Sequence, residues 1–172
     1  ENGDFILEGL LISKDNIYKI TNGIPRFIKN ADLKNSFGFQ WKKWNKLQFD
    51  SENIGLPMEG HTGRMFSSIT DFESELNQNK IFLDIGAGSG RFSHLLLNKN
   101  NKVVCIEVSN SVDILYQNFS DKLEKALIIQ ADFEKLPIKE ETIDHAFSIG
   151  VLHHSKNQEI AFSQVYKCLK NN

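Results

Sequence analysis

The sequence predicts an α/β protein built on a doubly wound parallel sheet. Three observations lead there. From about Asp71 onward, short apolar runs alternate with stretches of helical pattern, as strand–helix–strand units require. The apolar runs are nearly continuous, which suits strands buried on both faces. The first of them, "KIFLDI", runs into three glycines on alternate positions, Gly86, Gly88 and Gly90. In such sheets ligands bind beyond the carboxyl ends of the strands, where the winding reverses, so a glycine loop at this point is placed for function.

Two parts are expected: an N-terminal extension over residues 1–70 and a regular domain over 71–172. "DFILEGLLISKDNIYKITNGIPRF" divides into short strands at the turn signals Lys14–Asn16 and Asn22-Gly23. The rest of the extension is irregular and rich in aromatics, among them Phe37, Phe39, Trp41, Trp44, Phe49 and Phe66. Within it, "FGFQWKKWNKLQF" fits a short helix carrying its aromatics on one side. "DFESELN" predicts a helix with Asp71 as N-cap. Then come "KIFLDIG" (strand), "GRFSHLLLNK" (helix), "KVVCIEV" (strand), "NSVDILYQNFSDKLE" (helix) and "KALIIQA" (strand). A loop through Pro137 leads to "TIDHAFSIG" (strand) and "NQEIAFSQVYKCL" (helix).

A net charge of −2 supplies no overall basic field to draw the chain to nucleic acid or to an anionic membrane. No apolar run approaches the ~20 residues that span a bilayer, and no signal-peptide pattern opens the chain. The two cysteines, Cys105 and Cys168, lie far apart, and no Cys or His spacing resembles a zinc site. Cys105 sits inside "VVCIEV" as a small core residue. The expectation is a reduced, cytoplasmic protein with no metal, no membrane and no nucleic-acid partner.

Three glycine-loop chemistries compete. A phosphate-binding loop needs a lysine and a hydroxyl after its last glycine, and Arg91-Phe92 follow Gly90. A dinucleotide fingerprint needs a third small residue, which would fall on Arg91 or on Ser93 depending on the frame. What remains is an acidic residue, a spacer and GxGxG: Asp84-Ile85-Gly86-Ala87-Gly88-Ser89-Gly90.

Here the chain resembles the class I S-adenosylmethionine-dependent methyltransferases. "LDIGAGSGRFSHLL" is similar to that family's first motif, and Glu107 takes the acidic position closing the second strand. "QADFEKLPIKEETIDHAFSIGVLHH" resembles the region of strands three and four, with Asp132 after strand three and Leu136-Pro137 before strand four. "GVLHH" is typical of the small-molecule, type 11-like branch. The resemblance runs from about Lys80 to Leu169. It implies a Rossmann-like sheet of strand order 3-2-1-4, S-adenosyl-L-methionine as cofactor and a small-molecule methyl acceptor.

The roles below are those the resemblance implies. Asp84 serves the cofactor's ammonium, and the Gly86, Ala87, Gly88 and Gly90 backbone lies against the sulfonium and ribose. Glu107, followed by Val108, accepts the ribose hydroxyls. Asp132 accepts the adenine amino group while Phe133 offers its backbone N–H to the ring. Ile149 and Gly150 close the site from the end of strand four. His153 and His154 are the candidate general bases, a role needed only for a poorly nucleophilic acceptor; the same pair can instead shape the pocket. "YKITNGIPRF" resembles a segment found ahead of methyltransferase domains and related to zinc-ribbon-like modules, without their cysteines. "FGFQWKKWNKLQFDS" with "GRMF" resembles the upstream part of sugar and secondary-metabolite methyltransferases, which implies that Trp41 and Arg64 cover the cofactor, Arg64 pairing with its carboxylate.

The chain opens on Glu1 and stops at "KCLKNN", where the family continues into a fifth strand. It is therefore expected to be the N-terminal portion of a longer enzyme, inactive alone, with strand four as a bare apolar edge. The alternatives are a non-catalytic cofactor-binding or scaffold domain and a nicotinamide-dependent reductase, which the glycine spacing disfavours. A nucleic-acid methyltransferase is disfavoured by dispersed Lys and Arg. Strand four also lacks the Asn/Asp-Pro-Pro-aromatic tetrapeptide of many base amino-group methylators.

Overall fold

The computed structural model describes residues 5–28, 43–72 and 78–171. Trp41 and the last five residues of "DFESELN", 73–77, lie outside these. The described strands, β1 (Gly9–Ile12), β2 (Ile17–Thr21), β3 (Ile24–Arg26), β4 (Ile81–Ile85), β5 (Lys102–Glu107), β6 (Ala126–Gln130) and β7 (His145–Phe147), form one sheet. Its order is β1-β2-β3-β6-β5-β4-β7. The α-helices among the described residues are α1 (His61–Ile69), α2 (Arg91–Leu97), α3 (Val112–Asn118) and α4 (Gln158–Cys168). Among the described residues no helix is long and apolar enough to cross a membrane.

β6-β5-β4-β7 are all parallel and reproduce the expected order 3-2-1-4. Successive side chains of a strand point to opposite faces, and the core divides accordingly. Phe82, Val103, Cys105 and Ile128 face one side, where Phe92 and Leu96 of α2 and Val112 and Leu115 of α3 pack, with Phe66 of α1 and Phe49. Leu83, Ile85, Ile106 and Ile129 face the other, against Ala161 and Cys168 of α4. Helices on both faces make the sheet doubly wound.

The extension is more regular than expected. β1 and β2 pair antiparallel, β2 and β3 likewise through the Asn22-Gly23 turn, and β3 then lies parallel to β6 with Arg26 opposite Gln130. Phe27 N–H donates to Gln130 O at 2.7 Å. Without this meander β6 would end the sheet with a row of unpaired N–H and C=O groups, which is the physical reason for the pairing. At the opposite edge β7 ends the described sheet, pairing only with β4 as expected, and cover is limited to the stretch ahead of it: Leu169 bridges Ile143 in parallel and Lys170 N–H donates to Ile143 O at 2.9 Å.

The expected helix in "FGFQWKKWNKLQF" lies partly outside the described residues; over 44–48 the chain runs as bends and turns. α1 was not anticipated. Its sequence, HTGRMFSSI, carries Gly63, β-branched Thr62 and Ile69 and two serines, all poor helix formers. The remedy is tertiary. The Asp50 carboxylate accepts from Thr62 N–H (3.0 Å) and Gly63 N–H (2.7 Å), satisfying donors that a helix start leaves open.

Candidate active site

The glycine loop leaves the end of β4 and is tied to β5, with Gly86 N–H and Ala87 N–H both donating to Ile106 O at 2.8 and 3.1 Å. Gly86 has φ +74° and lies beneath Val151; a Cβ there would stand 2.4 Å from Val151 Cγ1. Gly90, with φ +91°, opens α2, and a Cβ there would stand 2.5 Å from Leu115 Cδ1 and 2.6 Å from Phe119 Cζ. The first glycine therefore lets the segment after β7 close over the loop, and the third lets side chains of α3 and the residue after it press on the start of α2. The middle glycine offers its N–H to Glu107 Oε2 at 3.0 Å.

Two carboxylates stand at the ends of neighbouring strands. Glu107 is 7% exposed and accepts at its other oxygen from Ser109 N–H at 2.8 Å. Each oxygen of an ionised carboxylate has about two acceptor sites, so both keep capacity for ligand hydroxyls. Asp84 is 4% exposed and accepts from Ser93 Oγ at 2.6 Å. Burial pushes its carboxyl up to about 7, the Ser93 hydrogen bond opposes that rise, and the Glu107 charge adds to it. Arg91, first residue of α2, lies in the field of Asp84. Burial draws its guanidinium below the usual value, and Asp50 and Asp84 oppose that.

These groups line a cavity of roughly 250 Å³ at the carboxyl ends of the parallel strands. Of the predicted residues, Asp84, Gly86, Ala87, Gly88, Glu107, Val108, Phe133, Ile149, Gly150 and His154 line it. Gly90 sits behind it as a packing point. His153 is exposed, with its ring centroid 3.9 Å from that of His154 in the short turn Leu152–His154. Asp132 is exposed and belongs to the lining of a neighbouring cleft with Tyr18, Phe27 and Lys135; its carboxylate accepts from Glu134 N–H at 2.9 Å. Arg64 is exposed on α1, its guanidinium beside Gly60.

Arg91, Ser89, Phe92, Ser109 and Val151 line the cavity without having been anticipated. A signal for Arg91 was present: the residue after a glycine loop that opens a helix starts beside whatever the loop cradles. The turn carrying His154 is held from outside by Glu134, which accepts from Ser155 Oγ (2.6 Å), Lys156 N–H (2.7 Å) and Asn157 N–H (3.0 Å). His94 and His145 are packing residues, against Phe49 and Phe119 and against Phe72 and Phe82 respectively. Among the described residues no group of three or more His, Cys, Asp or Glu side chains is arranged to hold a metal ion.

The donor set can be tested against S-adenosylmethionine, which carries an ammonium, a carboxylate, ribose hydroxyls and a flat apolar base. Asp84 and Glu107 match the ammonium and hydroxyls, Arg91 the carboxylate, and Phe133, Ile149 and Val151 supply apolar wall. The residues fit the group.

Known proteins resemble the chain in sequence and in fold. A tRNA U34 carboxymethyltransferase of Ruthia magnifica is 28% identical over 168 residues, covering 92% of this chain and 50% of that protein. A probable ribosomal RNA small subunit methyltransferase A of Methanococcoides burtonii is 33% identical over 108 residues, covering 52% of this chain and 39% of the relative. The chain thus spans half or less of the length of these curated relatives. The crystal structure of a SAM-dependent methyltransferase from Aquifex aeolicus superposes with a TM-score of 0.58 at 17% identity, over 77% of this chain and 67% of that one. Residues 83–172, more than half of the chain, match the family model described as "Methyltransferase domain". With the glycine loop, the paired strand-end carboxylates and the 3-2-1-4 sheet, that match places the chain in the methyltransferase domain family.

Proposed function

We propose that this protein binds S-adenosylmethionine in the cavity above β4 and β5 and serves transfer of its methyl group. The observation that carries the reading is the pairing of two buried strand-end carboxylates with a guanidinium across one cavity floored by a glycine loop. The bound cofactor would supply a methyl group already activated on a sulfonium. The protein's part is to bind, orient and exclude water, and alignment alone can be worth several kcal/mol of barrier, about 7 or more in favourable cases. Asp84 would hold the ammonium, Arg91 the carboxylate, and Glu107 the ribose hydroxyls while keeping Gly88 and Ser109 N–H in place. His154, on the cavity wall, is the residue positioned to meet an acceptor proton.

Titration calorimetry with S-adenosylhomocysteine tests the cofactor claim. Micromolar binding that is lost in Glu107→Ala is expected; a folded chain that does not bind would sink the reading.

For the acceptor, a small molecule agrees with the "GVLHH" ending of strand four and the lack of net positive charge. A second reading, an RNA acceptor, is favoured by the alignment of 92% of this chain with a tRNA-modifying relative. Transfer of tritiated methyl from S-adenosylmethionine to tRNA, against transfer to a small-molecule extract, separates them: label in the nucleic acid would overturn the small-molecule reading.

A further inference from the structure

The N-terminal meander reaches the cavity without touching it. Arg26 on β3 donates to Asp113 Oδ1 of α3 at 2.6 Å and to Gln130 Oε1 of β6 at 2.9 Å. Gln130 is 1% exposed. Its amide nitrogen donates to the carbonyls of Val108 and Ser109, each at 3.3 Å, and stands 3.5 Å from Asn110 Oδ1. Val108 and Ser109 line the cavity, and Ser109 N–H donates to Glu107 Oε1. One relay therefore runs from Arg26 through Gln130 to the loop after β5 and the Glu107 carboxylate.

The order of partners along this relay follows from what each group can do. An amide side chain can turn end for end with little change of shape, but a guanidinium only donates and a carbonyl only accepts. Arg26 thus decides the orientation of Gln130. Turned over, the amide would set its oxygen against two carbonyls and its N–H groups against a cation, and burial leaves such a mismatch uncompensated. The Arg26–Asp113 pair is partly exposed, with side-chain exposures of 19% and 41%, so it contributes little to stability by itself. It fixes where the guanidinium points.

We propose that Arg26 is a positioning residue for the cofactor cavity: by orienting Gln130 it holds the loop of residues 108–110, and with it Glu107, in the ligand-accepting arrangement. The proposal rests on reading the cavity as the S-adenosylmethionine site. It makes the meander a working part of that site, contributed from a distant stretch of chain.

Calorimetric titration of the protein with S-adenosylhomocysteine tests it. Arg26→Met removes the donors and keeps the apolar stem; Gln130→Glu keeps an acceptor for Arg26 and loses the donor to the loop carbonyls. Each is expected to weaken binding about tenfold, the scale of one buried hydrogen bond. Because both break one relay, the double variant is expected to bind no more weakly than Gln130→Glu alone. Arg26→Lys, which retains a donor, is expected to recover part of the affinity. A merely structural role would lower the unfolding midpoint while leaving the affinity of folded Arg26→Met within about twofold of the parent, or would give losses that multiply; either result overturns the proposal. Should Arg26→Met fail to fold, Arg26→Lys combined with Gln130→Glu carries the same comparison, and losses that multiply overturn it. Absence of binding by the parent protein, or indifference to Glu107→Ala, would instead overturn the reading of the cavity, and this proposal with it.

Discussion

The glycine loop and the N-terminal meander hang on the same sheet and are held in opposite ways. Around the loop, contact is close and nearly every group is committed: Gly86 lies under Val151, Gly90 under Leu115 and Phe119, and Glu107 spans two backbone N–H groups. The meander presents large apolar side chains outward, with Ile12 74%, Ile17 62% and Leu10 58% exposed. It is attached by its third strand, by Arg26 and by the buried Ile20 of β2, while β1 buries no large side chain. On the proposed reading of the cavity, changes in the loop should therefore alter stability and ligand binding together, and changes on the outer face of the meander should alter neither. Four changes test that contrast.

The largest effect is expected from Gly90→Ala. It adds a left-handed non-glycine residue to an overpacked contact, together about 3 kcal/mol, read from urea unfolding. A loss below about 1 kcal/mol, the ordinary cost of moderate strain, would mean that Leu115 and Phe119 move aside and the seam is softer than drawn.

Glu107→Ala comes next. It leaves the N–H groups of Gly88 and Ser109 without their acceptor in a buried site, about 2 kcal/mol, and abolishes S-adenosylhomocysteine binding. Glu107→Gln keeps one acceptor but turns its amide N–H groups toward the other backbone N–H, so it should restore at most part of the stability and little of the affinity. Equal loss of both in the two variants would break the link between backbone anchoring and ligand recognition.

Asp84 gives a pH signature. Its carboxyl is raised from 3.8 to about 7, chiefly by burial, so the folded chain holds the proton more tightly than the unfolded one. Its contribution to stability is full below about pH 4 and is lost as pH rises through about 7. Between those limits the parent should lose stability with rising pH relative to Asp84→Asn. An ammonium ligand needs the ionised form, so affinity should rise with pH by up to about tenfold per unit below the folded pKa, and Asp84→Asn should flatten that rise. A pH-independent gap between the two proteins would show Asp84 to be ionised throughout.

The smallest effect is expected on the meander's outer face. Ile12→Thr should change stability by no more than about 0.5 kcal/mol and leave S-adenosylhomocysteine affinity unchanged. A larger loss of stability in the isolated protein would show that β1 contributes packing that its exposure hides.

How much of this was legible in the sequence divides along the same line. β4 to β7, the helices between them and the loop from Asp84 to Gly90 were readable from short windows. A strand buried on both faces leaves a continuous apolar run, and a tight loop draws its glycines from a few neighbouring positions, here three within five residues. The strands of the meander were readable from the turn signals that bound them, Lys14–Asn16 and Asn22-Gly23, not from burial. The family resemblance supplied the strand order.

Tertiary structure decided what lies between distant residues. Asp50 starts α1 from outside the helix. Arg91 faces the cavity while Arg64 lies exposed on α1, and Asp132 turns to a neighbouring cleft although Phe133 lines the main one. The meander docks on β6 through Arg26 and Gln130, 104 residues apart. Periodicity and turn chemistry are local and survive in the sequence. Hydrogen bonds and charge pairs between separate segments exist only once the sheet has brought their partners within reach, and no short window of residues encodes them.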